Sequence, residues 1–405
     1  MTHRLYYTDP YLRAFEATVA RLDRRDDRLL VTLDRTAFYP TSGGQPFDTG
    51  RLGALTVIDA VDEEDGTVTH VTELKAESPE QLSSEDLQLR TGDVVHGEID
   101  WARRFDHMQQ HSGQHVLSAA FDKLFAVRTV SFHLGSVVST IDLAREMSPA
   151  EIDAAESEAN RIVWEDRPVT VRFVDAEEAA RLPLRKEPVR EGTLRLIEVE
   201  GFDLSACGGT HVARTGGIGA IAVASWERFK GGQRLEFLCG GRALGGYRQL
   251  RDAMTASVRL LSVLPAELPA AIERLQADTK EQRRAMDGLQ RDLAWYRADE
   301  LAAGAEKTAT FRLVARVVDA EASVLKALAT AIVARPGFLV ALVSSSTPVL
   351  AVIARSADVG VSSQELLASL MAQFGGRGGG RPELAQGGGL AAPADAILAA
   401  LRAAI

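Results

Sequence analysis

The chain has 405 residues, 46% of them hydrophobic and 25% charged, with a formal charge of −10. That length exceeds one ordinary core and calls for roughly two to four domains, and no apolar run reaches the roughly 20 residues of a membrane span. The acidic total excludes a protein that coats nucleic acid indiscriminately, and the N-terminus MTHRLYYTDPYLRAFEA lacks a secretory pattern, so the cytoplasm is the expected location.

Residues 1–95 carry short β segments, RLLVTLD, TVIDAVD and TVTHVTE, separated by turn chemistry such as TSGGQPFDTG, and predict a β-barrel-like domain. Residues 96–243 predict an α+β domain: helices at DHMQQHSGQHVLSAAFDKLF and SPAEIDAAESEANRIVWED, a strand pair around TVSFHLGSVVSTIDL, and strands near RPVTVRFV and IGAIAVASWERF. Residues 244–304 read as two helices broken at LPAELPAA. In the second, Ile272, Leu275, Thr279, Gln282, Met286, Leu289, Leu293 and Tyr296 recur at spacings of three and four. Such a seam either packs within the chain as a helical hairpin or pairs with a second copy as a short coiled coil. Residues 305–405 return to α/β alternation and end in FGGRGGGRPELAQGGG, whose glycines, inside a folded pattern, read as a binding or packing loop. The fold class is therefore α+β multidomain.

HMQQHSGQH, from His107 to His115, puts three of the eight histidines four residues apart. Asp106 reads as an N-cap and Gln109 as its capping-box partner, which starts the helix at His107. At about 1.5 Å per residue His107 and His115 stand roughly 12 Å apart, whereas two nitrogens on one zinc are about 3–4 Å apart, so one ion takes a pair. His107 falls in the fraying first turn, and His111 and His115, deeper and next to VLSAAF, are the expected pair. Gly113 between them costs the helix about 1 kcal/mol, tolerable where a ligand approaches the backbone. Two cysteines are too few for a disulfide framework. Cys207 stands four residues before His211 in SACGGTHV, across two glycines that let a loop close around an ion. Together the pairs make a Cys/His₃ set suited to tetrahedral zinc. Cys239, in the strand-like LEFLCGG, reads as a packed thiol.

Four segments in one order, FYPTSGGQPFDTG, HSGQHVL, CGGTHVARTGGIG and GGRGGGRPELAQGGG, resemble the editing half and C-terminal region of alanyl-tRNA synthetases. Running from about residue 5 to 400, the resemblance fits the free-standing alanyl-tRNA editing proteins in their long form. It implies a barrel-like domain (1–95), a zinc-containing editing domain (96–243), a helical connector (244–304) and a C-terminal domain of the DHH-associated type (305–405). It also implies a zinc-dependent aminoacyl-tRNA hydrolase that removes serine, with glycine as a second substrate, from mischarged tRNA(Ala) and spares Ala-tRNA(Ala). Because the barrel begins almost at Met1, hydrolysis in trans is expected and alanine activation is not. The need for such an enzyme is physical: one hydroxyl or methyl changes binding by only about 1–3 kcal/mol, so an alanine pocket rejects serine and glycine poorly. A second site that hydrogen-bonds the hydroxyl can do better.

On the same resemblance His111, His115, Cys207 and His211 match the positions of one zinc, which either closes a structural site or leaves room for water. Thr41 and Gln45 match the glycine-rich pocket motif and, with His133, are the catalytic candidates. Gly43 and Gly44 would bring backbone N–H groups to the aminoacyl end, and the Thr41 hydroxyl is the candidate for recognising serine. His133 stands where synthetase editing domains carry glutamine; it either positions water or the terminal ribose, or is a hydrogen-bonded strand histidine. His107 is expected to support a ligand or to lie at the surface. For tRNA, WERFKGGQRLEFLCGGRALGGYRQLR gathers Arg228, Lys230, Arg234, Arg242, Arg248 and Arg251 against few acids. Arg377 and Arg381 lie in the glycine tail, where guanidinium forks suit phosphate, and the family associates this domain with tRNA binding and self-association. Two other readings stay open: threonyl-type editing of Ser-tRNA(Thr), and a zinc-stabilised tRNA-binding protein without turnover. A DHH-type phosphodiesterase is disfavoured, since the chain has no Asp-His-His run.

Overall fold

A computed structural model describes residues 1–25, 28–74, 89–185 and 192–405, in two units, Met1–Ala256 and Ser257–Ile405. The first unit opens with β1 (His3–Arg4), β2 (Ala14–Arg25), β3 (Arg28–Leu33), β4 (Arg35–Thr36), β5 (Gly50–Leu52), β6 (Leu55–Asp62), β7 (Val68–Leu74) and β8 (Val94–Ile99). Six of these strands close a barrel in the order β2-β3-β7-β6-β5-β8, which removes exposed sheet edges. Strand alternation fills its interior: Phe15, Ala17 and Val19 of β2, Val31 and Leu33 of β3, and Val57 and Ala60 of β6 are buried. His70 of β7 is fully buried. Its Nδ1–H donates to the Val31 carbonyl (2.8 Å) and its Nε2 accepts from the Thr36 hydroxyl (2.8 Å). Burial pushes the imidazole down to about 4.

Next come α1 (Trp101–Phe125), β9 (Thr129–Leu134), β10 (Ser139–Leu143), α2 (Pro149–Trp164), β11 (Val169–Val174), α3 (Ala176–Ala179), β12 (Leu194–Val199), β13 (Asp203–Ala206), β14 (Ile221–Phe229), β15 (Gly232–Cys239) and α4 (Gly240–Leu261). One sheet has the order β14-β15-β10-β9 and another β11-β12-β13. Every residue of α1 from His111 to Phe121 is buried, so this helix forms the centre of the domain rather than an amphipathic cover. Val116, Leu117 and Phe121 share a core with Ile141, Ile162, Leu235 and Phe237. The helix starts at Trp101, with the Asp100 carboxylate accepting from Arg103 N (3.2 Å), and not at His107. Asp106, the expected cap, instead pairs with Arg242 (2.6 Å), and Gln109 donates to the Gly217 carbonyl (3.0 Å).

The second unit contains α5 (Leu268–Ala303), β16 (Glu306–Lys307), β17 (Arg312–Val318), α6 (Ala322–Val333), β18 (Phe338–Ser344), β19 (Val349–Arg355), α7 (Ser363–Phe374), β20 (Arg377–Arg381), β21 (Leu384–Leu390) and α8 (Ala394–Ala403). Its sheet has the order β16-β17-β18-β19-β21-β20. Even-numbered residues of β18 face α6 and the end of α5, and odd-numbered ones face α7 and α8. That makes β18 apolar throughout, as a strand covered on both sides must be. Among the described residues no single helix is long and apolar enough to cross a membrane.

In this unit the seam does not pack within the chain, which leaves its other reading open, and the expectation for the glycine tract changes. The large seam residues of α5, Ile272, Leu275, Met286, Leu289, Leu293 and Tyr296, are 42–75% exposed, and the helix packs through Ala294, Ala298 and Ala302 instead. The glycine tract is a strand pair, β20 on β21, and not a loop. A Cβ on Gly378 would overlap the opposite glycine backbone at Gly387, so these glycines serve close strand packing.

A neutral histidine buried in the barrel makes stability depend on pH. His70 has a folded pKa of about 4, below the roughly 6.5 of an unfolded histidine. Its contribution is therefore present above pH 6.5 and is lost as pH falls from 6.5 towards 4. His107, buried and pushed down to about 4, acts in the same direction, whereas His115, raised by Asp203 and Cys207, acts in the opposite one. Denaturant unfolding at pH 7.5 and 5.5 should show a drop in stability that His70→Asn reduces by about 1 kcal/mol; an equal drop in the variant would contradict this role.

Candidate metal centre

His111 and His115 lie one turn apart on α1, and the loop after β13 brings Cys207 and His211 to them. One ligand atom from each of the four residues lies within 4.8 Å of all the others. The Cys207 Sγ is 3.3 Å from His111 Nε2 and 3.4 Å from His211 Nε2. Tetrahedral zinc, with bonds of about 2.3 Å to sulfur and 2.0–2.1 Å to nitrogen, needs S···N separations of about 3.5 Å. The donor set and its spacing fit that ion.

The histidines' other ring nitrogens are also engaged. His111 Nδ1 donates to Gln45 Oε1 (2.9 Å), His115 Nδ1 to Asp203 Oδ2 (3.0 Å) and His211 Nδ1 to Ser112 Oγ (3.2 Å). These bonds aim each Nε2 at the cluster, the arrangement that orients metal-binding imidazoles. Asp203 is in turn held by Arg185 (2.6 Å). Burial alone would push His115 down, but the Asp203 carboxylate and Cys207 outweigh it and raise it to about 9. For Cys207 burial opposes the thiolate, yet His111 and His211 hold the thiol well below its ordinary value. A buried arginine fixes the loop: Arg195 donates to the carbonyls of Cys207 (2.7 Å), Gly209 (2.9 Å) and Tyr7 (3.0 Å). Gly209 packs against the His111 ring, where any Cβ would overlap it.

A cavity of about 430 Å³ opens onto Cys207 and His115, with Gly43, Gly44, Gln114 and Phe132 among its walls. Gly43 and Gly44 have φ of +54° and +83° between Ser42 and Gln45, whose backbones pair. Both positions lie in the left-handed region that favours glycine. A Cβ on Gly44 would stand 2.7 Å from the Phe132 ring.

Other sequence candidates fall elsewhere. Gln45 is fully buried; besides His111 its amide bonds Thr210, Nε2 to the hydroxyl (2.8 Å) and Oε1 from the N–H (3.1 Å), so it positions ligands instead of facing substrate. Thr41 is exposed and outside the cavity wall. His133 also lies outside it, because strand alternation turns Phe132 toward His111 (ring centroids 5.9 Å apart) and His133 to the exposed face. His107 is buried, with no partner for Nδ1 among the described residues, and is thus no surface residue. Gly113 admits no ligand; its neighbour is the Cys239 thiol, whose packing leaves no room for a Cβ. The basic segment is largely neutralised from elsewhere in the chain: Arg228 pairs with Glu146, Arg234 with Asp142, Arg242 with Asp106 and Arg251 with Asp252. Lys230 and Arg248 remain exposed there, as do Arg377 and Arg381 on β20. Sequence reading missed Asp203, Arg185 and Arg195; the carboxylate four residues before Cys207 was the available signal.

The family described as "Threonyl and Alanyl tRNA synthetase second additional domain" matches residues 194–236, "tRNA synthetases class II (A)" residues 11–103, and the "DHHA1 domain" residues 310–405. The alanyl-tRNA editing protein AlaX-L of Pyrococcus horikoshii is 32% identical across 96% of this chain and 94% of its own length. The chain belongs to this alanyl-tRNA editing family. Alanine–tRNA ligase of Pyrococcus abyssi is 33% identical over 95% of the chain, which spans 42% of that ligase. The solved C-Ala domain of Aquifex aeolicus alanyl-tRNA synthetase aligns with 24% of this chain and 93% of its own at 28% identity, with a TM-score of 0.23.

Removing a carboxylate that orients a metal-binding histidine weakens metal affinity about 10–100-fold. Asp203→Asn should therefore lower zinc affinity by that factor in chelator competition without unfolding the protein. Unchanged affinity would show that Asp203 does not set the His115 ligand.

Proposed function

We propose that the chain hydrolyses the ester of mischarged tRNA(Ala) in the cytoplasm, releasing serine foremost and glycine second, and spares Ala-tRNA(Ala). The observation that carries this reading is a Cys/His₃ cluster at the wall of an amino-acid-sized cavity, in a chain of the alanyl-tRNA editing family. Zinc held by His111, His115, Cys207 and His211 would supply a fixed positive charge and Lewis acidity at that wall.

The chain's own groups provide the rest. The amides of Gly43 and Gly44 border the cavity and make no hydrogen bond among the described residues. Such donors suit an ester oxygen on which negative charge develops. Phe132, over His111 and against Gly44, closes an apolar side and limits water. Gln45, Asp203 and Arg195 keep the ligand side chains and their loop from shifting, which a reacting geometry requires. Lys230, Arg248, Arg377 and Arg381 are exposed and are the cations we assign to tRNA phosphates. The exposed seam of α5, with its heptad spacing, is the surface we assign to pairing with a second copy.

Incubation with Ser-, Gly- and Ala-tRNA(Ala) and with Ser-tRNA(Thr) tests the reading. Serine should leave tRNA(Ala), alanine should stay, and a chelator should abolish release until zinc is restored. Alanine released as fast as serine, or preference for Ser-tRNA(Thr), would reject it.

A further inference from the structure

The loop that carries Cys207 spends nearly all of its backbone donors. Cys207 N donates to the Arg195 carbonyl (3.0 Å), Gly209 N to Cys207 Sγ (3.4 Å) and Thr210 N to Gln45 Oε1 (3.1 Å). Between them, the Gly208 N–H has no acceptor among the described residues. Its direction is fixed from behind. The Cys207 carbonyl, part of the same peptide plane, accepts from Arg195 Nη1 (2.7 Å), and in a trans peptide the N–H points opposite to the C=O. Arg195 is 8% exposed, so the carbonyl points into the protein and the N–H points away from it, where Gly208 is exposed and forms part of the cavity wall next to Cys207. The hydrogen bonds of Arg195 go to the carbonyls of Cys207, Gly209 and Tyr7, and to no carboxylate among the described residues; its Nη2 is buried without an acceptor. No ion pair takes up its charge, which therefore acts on the loop. A cation on a carbonyl polarises the whole peptide group and makes its N–H a stronger donor.

We propose that the Gly208 N–H holds the ester carbonyl oxygen as that oxygen becomes an oxyanion, with Arg195 as the positioning residue behind it; this rests on the editing reading of the same cavity. In the step, a water oxygen bonds to the ester carbon while the C=O electron pair moves onto the carbonyl oxygen, and Gly208 meets the charge that appears there. Collapse re-forms the C=O and breaks the bond to the ribose oxygen, which leaves with one proton of the water as the other goes to solvent. Charge grows only on the way to this state, so the donor acts on kcat and hardly on binding. Gly43 and Gly44 face the cavity from the barrel; Gly208 adds a donor from the metal-binding loop, backed by a buried cation. Every aminoacyl ester carries the same carbonyl, so serine and glycine gain equally.

The test follows hydrolysis of Ser- and Gly-tRNA(Ala) by the zinc-loaded full chain, together with zinc content, thermal midpoint and equilibrium binding of tRNA(Ala) that carries serine through an amide. Gly208 lies outside the left-handed region, and a Cβ there meets only Tyr7 Oη at 3.8 Å, so a side chain is accommodated. Gly208→Pro deletes the N–H and should lower kcat about 100-fold for serine and glycine alike, the usual cost of one oxyanion donor, with KM and binding of the amide kept. Gly208→Ala keeps the N–H and should turn over about tenfold or more faster than Gly208→Pro. Arg195→Gln keeps a donor without the charge and should lower kcat about tenfold for both esters at the same KM; it decides between the outcomes should Gly208→Pro lose zinc or fold. Gly208→Pro as fast as Gly208→Ala, a loss carried in KM, unequal losses for serine and glycine, or full kcat in Arg195→Gln would overturn the assignment and leave the editing reading standing. A wild-type chain that releases neither amino acid would overturn both.

Discussion

One buried amide joins three distant parts of the chain. Gln45, carried by the glycine turn of the barrel domain, holds His111 of α1 with the same oxygen that accepts from Thr210 in the Cys-x₃-His loop. The barrel, the central helix and the loop are thus fixed to each other at the atom that orients a metal ligand. A second tie lies close by in sequence. Arg104 of α1 is fully buried and donates to Asp48 (3.0 Å) and to the Pro10 carbonyl (2.8 Å). A buried pair of this kind adds little net stability but is costly to break from one side, about 3–5 kcal/mol. It therefore acts as a register lock, seating α1 against the barrel in one position.

That seating explains the electrostatics of the site. Burying a thiolate and several imidazoles is unfavourable unless each finds partners. Here Asp203 and Arg185 stabilise one side, and Arg195 holds the loop carbonyls on the other. Gln45, Asp203 and Ser112 fix the three imidazole rings through their Nδ1 atoms, which lowers the cost of ordering the ligands around an ion. The cavity inherits this rigidity. Its glycine turn and the Phe132 ring fit against each other with no space for a side chain at Gly44.

What was legible in the sequence is what local geometry dictates. Two histidines at i and i+4 share a helix face whatever the tertiary structure, and Cys207 and His211 stand near each other across a short glycine loop, so the ligand set could be read from spacing. The barrel's alternating strands were visible for the same reason. Illegible were features settled by distant partners. Asp100 and Asp106 are equally good caps locally, and Asp106 is taken by Arg242, over a hundred residues away. The basic segment looked unpaired because Asp106, Asp142 and Glu146 lie outside it. Gln45 looked like a pocket residue because its partners are remote in sequence. The placement of His133 could have been read, since VSFHL as a strand turns Phe132 and His133 to opposite faces.

The account stands or falls on one coordination sphere. X-ray absorption at the zinc edge of the purified 405-residue chain reads it directly. One sulfur and three nitrogens around a single zinc per chain is the expected shell, matching Cys207, His111, His115 and His211. A shell without sulfur, or protein that retains no zinc, would contradict it.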